Sequence, residues 1–277
     1  MTAGQLYCDH WSFYGAKRMA SKGWALVTGA SSGLGREFAL ALAGQGSNIV
    51  LTARRTEPME RLAAELRDRF KVQARVVALD LAGVGAAATL KAQLDAEGIV
   101  IDTLINNAGH GLTSYFLEQP AERITAMLQL NIIGMTELAR AFAQDMVKRG
   151  GGRIMLVASV AGFQPCPRLA AYAASKAYVL SLGEALHTEL KASNVVVTVL
   201  SPGVTDTGFF DAAGEAPNAA MKRMMMKPRP VVDVGLAAMA KGRSSVVAGK
   251  ANRVAAFLTR LFSRQQLSRI SYRMMST

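Results

Sequence analysis

Near its start the chain places a short apolar run, Trp24-Ala25-Leu26-Val27-Thr28, directly before Gly29-Ala30-Ser31-Ser32-Gly33-Leu34-Gly35, and follows it with the helical pattern Arg36-Glu37-Phe38-Ala39-Leu40-Ala41-Leu42. A buried strand, a glycine-rich turn and a helix in immediate succession leave few folds open. The same alternation continues down the chain. Strands are predicted near 24–28, 48–53, 75–80, 102–106, 153–158, 195–200 and 245–248. Helical patterns fill the gaps, notably at 34–45, 57–70, 85–97, 120–149 and 170–192. Strands alternating with helices imply an α/β fold: a doubly wound parallel sheet of about seven strands, with right-handed crossovers and helices on both faces. The 277 residues show no Pro/Gly/Ser-rich linker and no internal repeat, so one domain is expected.

The glycine turn has the context of a dinucleotide-binding fingerprint. Its glycines permit a tight turn and close backbone approach, while the following helix N-terminus offers free N–H groups to a pyrophosphate. A second constellation lies further on. Arg153-Ile154-Met155-Leu156-Val157-Ala158-Ser159 reads as a buried strand delivering Ser159 at its C-terminal end, where open α/β sheets build their sites. Beyond it comes Tyr172-Ala173-Ala174-Ser175-Lys176. On a helix, Tyr172 and Lys176 share a face at i and i+4, so the ammonium is expected to lower the phenol pKa toward neutrality and suit it to proton transfer.

With these residues in view, the chain resembles the short-chain dehydrogenase/reductase family, of the single-domain type, over about residues 22–250. The matching pieces are Thr28-Gly29-x-x-x-Gly33-x-Gly35, Asn106-Asn107-Ala108-Gly109, Asn131, Ser159, Tyr172-x-x-x-Lys176 and Pro202-Gly203. The resemblance implies a Rossmann-type sheet and hydride transfer between a nicotinamide cofactor and a carbonyl or alcohol. It casts Tyr172 as the proton donor or acceptor, and Lys176 as the residue that tunes it and binds the nicotinamide ribose. Ser159 holds the substrate oxygen, where negative charge develops. Asn131, a polar residue in an apolar helix, is read both as a buried amide satisfying backbone groups and, by resemblance, as the holder of a water linked to Lys176.

The resemblance also carries the cofactor contacts. Gly29, Ser31, Ser32, Gly33, Leu34 and Gly35 form the diphosphate loop. Asp80 and Leu81 form an adenine-contacting pair, and Asn107, Ala108 and Gly109 close the fourth strand beneath the cofactor. Pro202, Gly203, Val204 and Thr205 meet the nicotinamide carboxamide and diphosphate. The second strand, Asn48 to Ala53, ends in Arg54-Arg55 with no acidic residue at its tip. An acid there would accept from the ribose 2′-hydroxyl, whereas guanidinium groups suit a 2′-phosphate. NADP(H) is therefore expected in preference to NAD(H), with Arg54 as the contact and Arg55 as helper.

Other features set the surroundings. Three scattered histidines give no metal-ligand spacing, and no metal is expected. His187 is read as a surface or interface residue, His110 as a candidate pocket border, and Cys166 as unimportant. With only Cys8 and Cys166, a disulfide framework is not expected, which suits a reducing cytoplasm. No apolar run reaches the roughly 18–20 residues of a membrane span, and residues 1–21 lack a signal-peptide core. Residues 206–229 look like a substrate lid, in which Phe209, Phe210, Met221, Met224, Met225 and Met226 make an apolar roof and imply a lipophilic substrate. Phe163, Pro165 and Leu169 add apolar wall.

The formal net charge is +12, and residues 222–277 hold twelve Lys or Arg against the single Asp233. From Ala251 onward, Val254, Phe257, Leu258, Leu261 and Phe262 share one helical face beside an Arg253, Arg260, Arg264 stripe. Packing on the core or a second subunit is favoured for this tail, with peripheral contact to an anionic membrane as the alternative. No nucleic-acid-binding motif is present. The organisation read from the sequence is an N-terminal extension (1–21), a catalytic dinucleotide-binding domain (22–250) and a basic amphipathic C-terminal extension (251–277). A homodimer or homotetramer is expected through helices 120–149 and 170–192, using Tyr178, Val179, Leu182, Ala185 and Leu186. Two alternatives to a reductase of lipophilic carbonyls stay open: a 3-ketoacyl thioester reductase and a non-catalytic NADP-binding regulator.

Overall fold

The computed structural model describes residues 23–209 and 219–276. The expected N-terminal extension, Cys8 and Phe210 lie outside the described residues. Seven strands form one sheet: β1 (Trp24–Thr28), β2 (Asn48–Ala53), β3 (Ala74–Ala78), β4 (Ile101–Asn106), β5 (Gly152–Val157), β6 (Val195–Ser201) and β7 (Ser245–Val247). Their spatial order is β3-β2-β1-β4-β5-β6-β7, and every pairing is parallel. This is a Rossmann-type doubly wound sheet, and its order reverses between β1 and β4, where a crevice opens at the strand C-termini.

Strand register sorts the core into two layers. Ala25 and Val27 of β1 pack on one face with Phe38, Leu42, Leu51, Leu66 and Leu236. Leu26, pointing the other way, packs with Val50, Leu90, Leu104, Phe142 and Val179. Because both faces are covered, the strands are apolar runs rather than alternating ones. The first layer is capped by α1 (Gly33–Gly44), α2 (Thr56–Phe70) and α8 (Pro228–Ala240), the second by α3 (Ala86–Ala96), α5 (Met135–Lys148) and α6 (Ala170–Glu189). Two shorter helices, α4 (Ala121–Leu128) and α7 (Ala219–Met224), precede α5 and α8.

Two expected helices differ in form. The segment read as one helix over 120–149 is α4 and α5 joined by a π-helical turn, Gln129–Gly134, with Asn131 in its middle. The tail read as one amphipathic helix over 251–275 is two, α9 (Lys250–Leu258) and α10 (Arg264–Ser276). At the break Ser263 caps α10 reciprocally: Ser263 N–H donates to Gln266 Oε1 at 2.9 Å, and Gln266 N–H donates to Ser263 Oγ at 3.3 Å. Among the described residues no helix is long and apolar enough to cross a membrane.

Candidate active site

The glycine turn is built around β1. Gly29 takes φ +67°, a left-handed conformation that a side chain disfavours, and its N–H donates to Thr52 O at 2.9 Å. A Cβ on Gly35 would lie 2.2 Å from the carbonyl oxygen of Gly29, so the helix comes this close to the turn only without a side chain there. Ser32 precedes α1 without a side-chain cap bond, which leaves the first-turn N–H groups directed out of the helix. Thr28 then ties the turn to β4: its Oγ1 accepts from Asn107 N–H and Ala108 N–H, each at 2.8 Å, and Asn107 Nδ2 donates to Thr28 O at 2.9 Å.

The remaining cofactor candidates border the same crevice. Arg54 and Arg55 are exposed at the tip of β2, and Arg55 Nη2 donates to Ser31 Oγ at 3.3 Å, joining the tip to the glycine turn. Exposed Asp80 accepts from Ala82 N–H at 3.0 Å, and Leu81 is buried. Pro202 O accepts from Val160 N–H at 2.9 Å, holding the segment after β6 beside the Ser159 turn, and Thr205 Oγ1 donates to Gly203 O at 2.9 Å. Val204 O accepts from Met226 N–H at 2.9 Å. Thr207 packs on Gly33, and Asn252 of α9, which was not among the expected contacts, packs on Gly203. This cradle fits an extended diphosphate-bearing dinucleotide: a glycine-rich turn, uncapped helix N–H groups and cationic side chains at the β2 tip.

Ser159, Tyr172 and Lys176 come together at the end of β5. Ser159 Oγ accepts from Ala161 N–H at 3.1 Å and caps a 3-10 turn over Val160–Phe163. Tyr172, at the start of α6, is close enough for the Ser159 hydroxyl to pull its phenol pKa downward. One helical turn on, Lys176 Nζ donates to Val157 O at 2.9 Å and sits 5.8 Å from the centre of the Tyr172 ring.

The electrostatics correct one expectation. Burial pushes the Tyr172 phenol up to about 12, against a smaller downward pull from Ser159. Burial likewise pushes the Lys176 ammonium down to about 8. Lys176 is therefore not lowering the Tyr172 pKa toward neutrality here: both groups are desolvated, and desolvation favours the neutral form of each.

Asn131 is fully buried and satisfied by protein groups. Its Oδ1 accepts from His110 N–H at 3.1 Å, and its Nδ2 donates to His110 O at 2.9 Å and to Ser175 Oγ at 3.2 Å. Gly109 lies against both Asn131 Oδ1 and Lys176 Nζ, so the amide and the ammonium frame the same glycine. His110 does border the site. Burial lowers its pKa first, with Arg54, Arg123 and Lys176 adding to that and Asp80 opposing.

An apolar cluster surrounds Tyr172. Leu112 and Met127 are buried against it, with Ile124, Leu128, Leu169 and Phe209 packed around them. The Phe209 and Tyr172 rings lie 5.3 Å apart at 55°. Of the expected methionine roof, Met226 instead packs into the core, and Met224 is exposed. Cys166 was set aside in the sequence, yet it lies beside Tyr172 and raises its pKa slightly. Its own thiol is pushed up by burial, against smaller downward pulls from Ser271 and Gln164. His187 is a structural pin, its Nδ1 2.8 Å from Val197 O. Among the described residues, no group of His, Cys, Asp and Glu could hold a metal ion.

Comparison with known proteins agrees with this geometry. The short chain dehydrogenase family matches residues 23–218. "Probable oxidoreductase EphD" of Mycobacterium tuberculosis is 39% identical over 189 residues, 68% of this chain and 32% of the relative. The very-long-chain 3-oxoacyl-CoA reductase of Bos taurus is 32% identical over 183 residues, 65% of this chain and 58% of the relative. The chain thus spans about a third of the first relative and somewhat over half of the second. A short-chain dehydrogenase from Sphingobium yanoikuyae, solved in complex with NADPH, superposes with TM-score 0.77 at 33% identity, covering 88% of this chain and 94% of that one. With its parallel sheet, its glycine cradle and its Ser159–Tyr172–Lys176 cluster, the chain belongs to the short-chain dehydrogenase/reductase family.

Proposed function

We propose that this chain is an NADP(H)-dependent oxidoreductase that reduces a lipophilic ketone or aldehyde, or runs the same reaction backward on an alcohol. The observation that carries the reading is the grouping of Ser159, Tyr172 and, one helical turn along, Lys176 at the end of β5, set between the glycine cradle and an apolar cluster. When bound, the nicotinamide supplies or accepts the hydride. Ser159 Oγ holds the substrate oxygen and Tyr172 gives it a proton. A phenol with a pKa near 12 stays protonated at neutral pH, which suits the acid role in reduction. Lys176 holds the cofactor ribose. Asn131 fixes the His110 backbone beneath the site, a positioning role that complements the water-holding role implied by the family. Arg54, with Arg55, supports preference for the 2′-phosphate of NADP(H).

The similarity to the Bos taurus reductase favours a second substrate class, 3-ketoacyl thioesters. The non-catalytic regulator is disfavoured because Tyr172 and Lys176 are both present. The same reading includes a homo-oligomer, a cytoplasmic working place and a peripheral lipid contact by the tail. NADPH oxidation with a panel of aryl, steroidal and long-chain ketones, run beside acetoacetyl thioesters, separates these readings. Turnover of ketones is expected. Turnover of thioesters alone moves the assignment to acyl reduction, and turnover of neither leaves a cofactor-binding regulator.

A further inference from the structure

Bulky apolar side chains face water along one continuous stretch at the C-terminal end. Val254, Phe257 and Leu258 on α9, Leu261 and Phe262 in the following turn, and Ile270 on α10 are all exposed, Leu261 to 66%. The helices that carry them are not loosely attached. Ala256, Leu267 and Ser271 are buried, and the Tyr272 and Tyr115 hydroxyls share a hydrogen bond at 3.1 Å. That last bond joins the tail to a 3-10 turn, Phe116–Glu118, in which Leu117 is 94% exposed and Phe116 is 56% exposed. Earlier in the same loop Leu112 is buried against Tyr172. The loop and the tail therefore form one unit, touching the reacting tyrosine on its inner side and presenting apolar bulk outside. Exposed apolar surface of this extent marks an interaction site.

Charge selects the occupant. After Asp233 the chain has no Asp or Glu, and Lys250, Arg253, Arg260, Arg264, Arg269 and Arg273 intersperse the apolar positions. A second copy meeting this face about a two-fold axis would set these cations against their own counterparts. An anionic bilayer neutralises them while its headgroup–acyl boundary takes the Phe and Leu side chains. We propose that α9, α10 and the Tyr115–Leu117 turn together dock the rim of the active site onto an anionic lipid surface. The inference rests on the reductase reading above for what it accomplishes: a substrate dissolved in the bilayer enters beside Tyr172 without crossing water.

The test is flotation of the full chain, with NADPH, on phosphatidylcholine vesicles with and without phosphatidylserine. Binding is expected only to the anionic vesicles and is expected to fall at least tenfold between low and high salt. A Leu117→Glu, Leu261→Glu, Phe262→Glu variant is expected to lose that binding tenfold or more while keeping its rate on a water-soluble ketone. Absent binding, or equal binding to neutral vesicles, overturns the proposal. So does a fall in oligomer mass in the triple variant, which would make the face a self-interface. Flotation does not depend on turnover, so a protein that floats yet reduces no carbonyl sinks the reductase reading and leaves the docking in place.

Discussion

At the scale of single residues, the reading turns on two buried groups whose charges water would otherwise stabilise. Tyr172→Phe is predicted to leave NADPH binding nearly intact and to lower turnover by a factor of roughly 10² or more, because the proton donor is lost. Wild-type turnover in that variant would refute the mechanism. The pKa shifts carry a sign for stability. Lys176 titrates near 8 in the fold against 10.5 in a free side chain, so its burial cost is fully present below pH 8 and is relieved as pH rises toward 10.5. Tyr172, near 12 against 10, adds the opposite trend, with stability falling as pH rises above 10. In denaturant melts, the wild type is expected to gain stability relative to Lys176→Met between pH 8 and 10. A constant difference across that range would mean that the ammonium is not desolvated.

Cofactor choice also belongs to this scale. Arg54→Ala combined with Arg55→Ala is expected to remove most of the preference for NADPH while changing NADH affinity little, since charge-assisted hydrogen bonds contribute about 1.5–3 kcal/mol. Fluorescence titration of both cofactors checks this, and equal wild-type affinities would overturn it. The grouping of Tyr172 with Lys176 and the place of the arginines at the β2 tip were legible because they follow from residue type and spacing. The upward shift of Tyr172 was not, since burial is a property of the packed site and a pairwise reading of Tyr and Lys omits it.

Among the elements, the strand and helix succession was plain from hydrophobic period, and the exceptions are instructive. The π-helical turn at Gln129–Gly134 uses the same apolar spacing as the helices around it, so no sequence pattern marked it. Its consequence is visible only in contacts: the bulge turns Asn131 inward to pair with both backbone groups of His110. Asn131→Ala leaves those partly buried groups unpaired, with an expected loss of about 1–3 kcal/mol and a fall in Tm of roughly 2–12 °C. Calorimetry reads this directly, and an unchanged Tm would assign Asn131 to catalysis alone. The break between α9 and α10 did have a signal: Ser263-Arg264-Gln265-Gln266 is a capping box, overridden in the reading by the amphipathic pattern that runs through it.

For the whole molecule, the question is which faces remain for association. Val179 and Leu186 of α6, expected at a subunit contact, instead pack into the sheet layer of their own chain. Tyr178 stays exposed and shares a 3.0 Å hydrogen bond with Thr136 of α5, and Ile133 and Val147 are exposed on that same segment. A homo-oligomer through α5 and α6 would therefore use these residues. Light scattering is expected to show a dimer or tetramer whose mass falls with Val147→Glu and not with Leu261→Glu. A wild type that is monomeric at micromolar concentration would remove the shared-helix argument.

The bonds that bind Thr28 to Asn107 and Ala108 have a further consequence, in time rather than in space. β1 emerges early, but its neighbour β4 and the two N–H groups that Thr28 Oγ1 receives come almost eighty residues later. Local pairing of β1 with β2 can begin at once, while the floor of the cofactor cradle waits on this long-range closure. A folding chain is thus helical and partly paired well before it can hold a nucleotide. Nucleotide binding then favours the completed state by mass action. On the proposed function, the nucleotide is in this sense also the last reactant of folding.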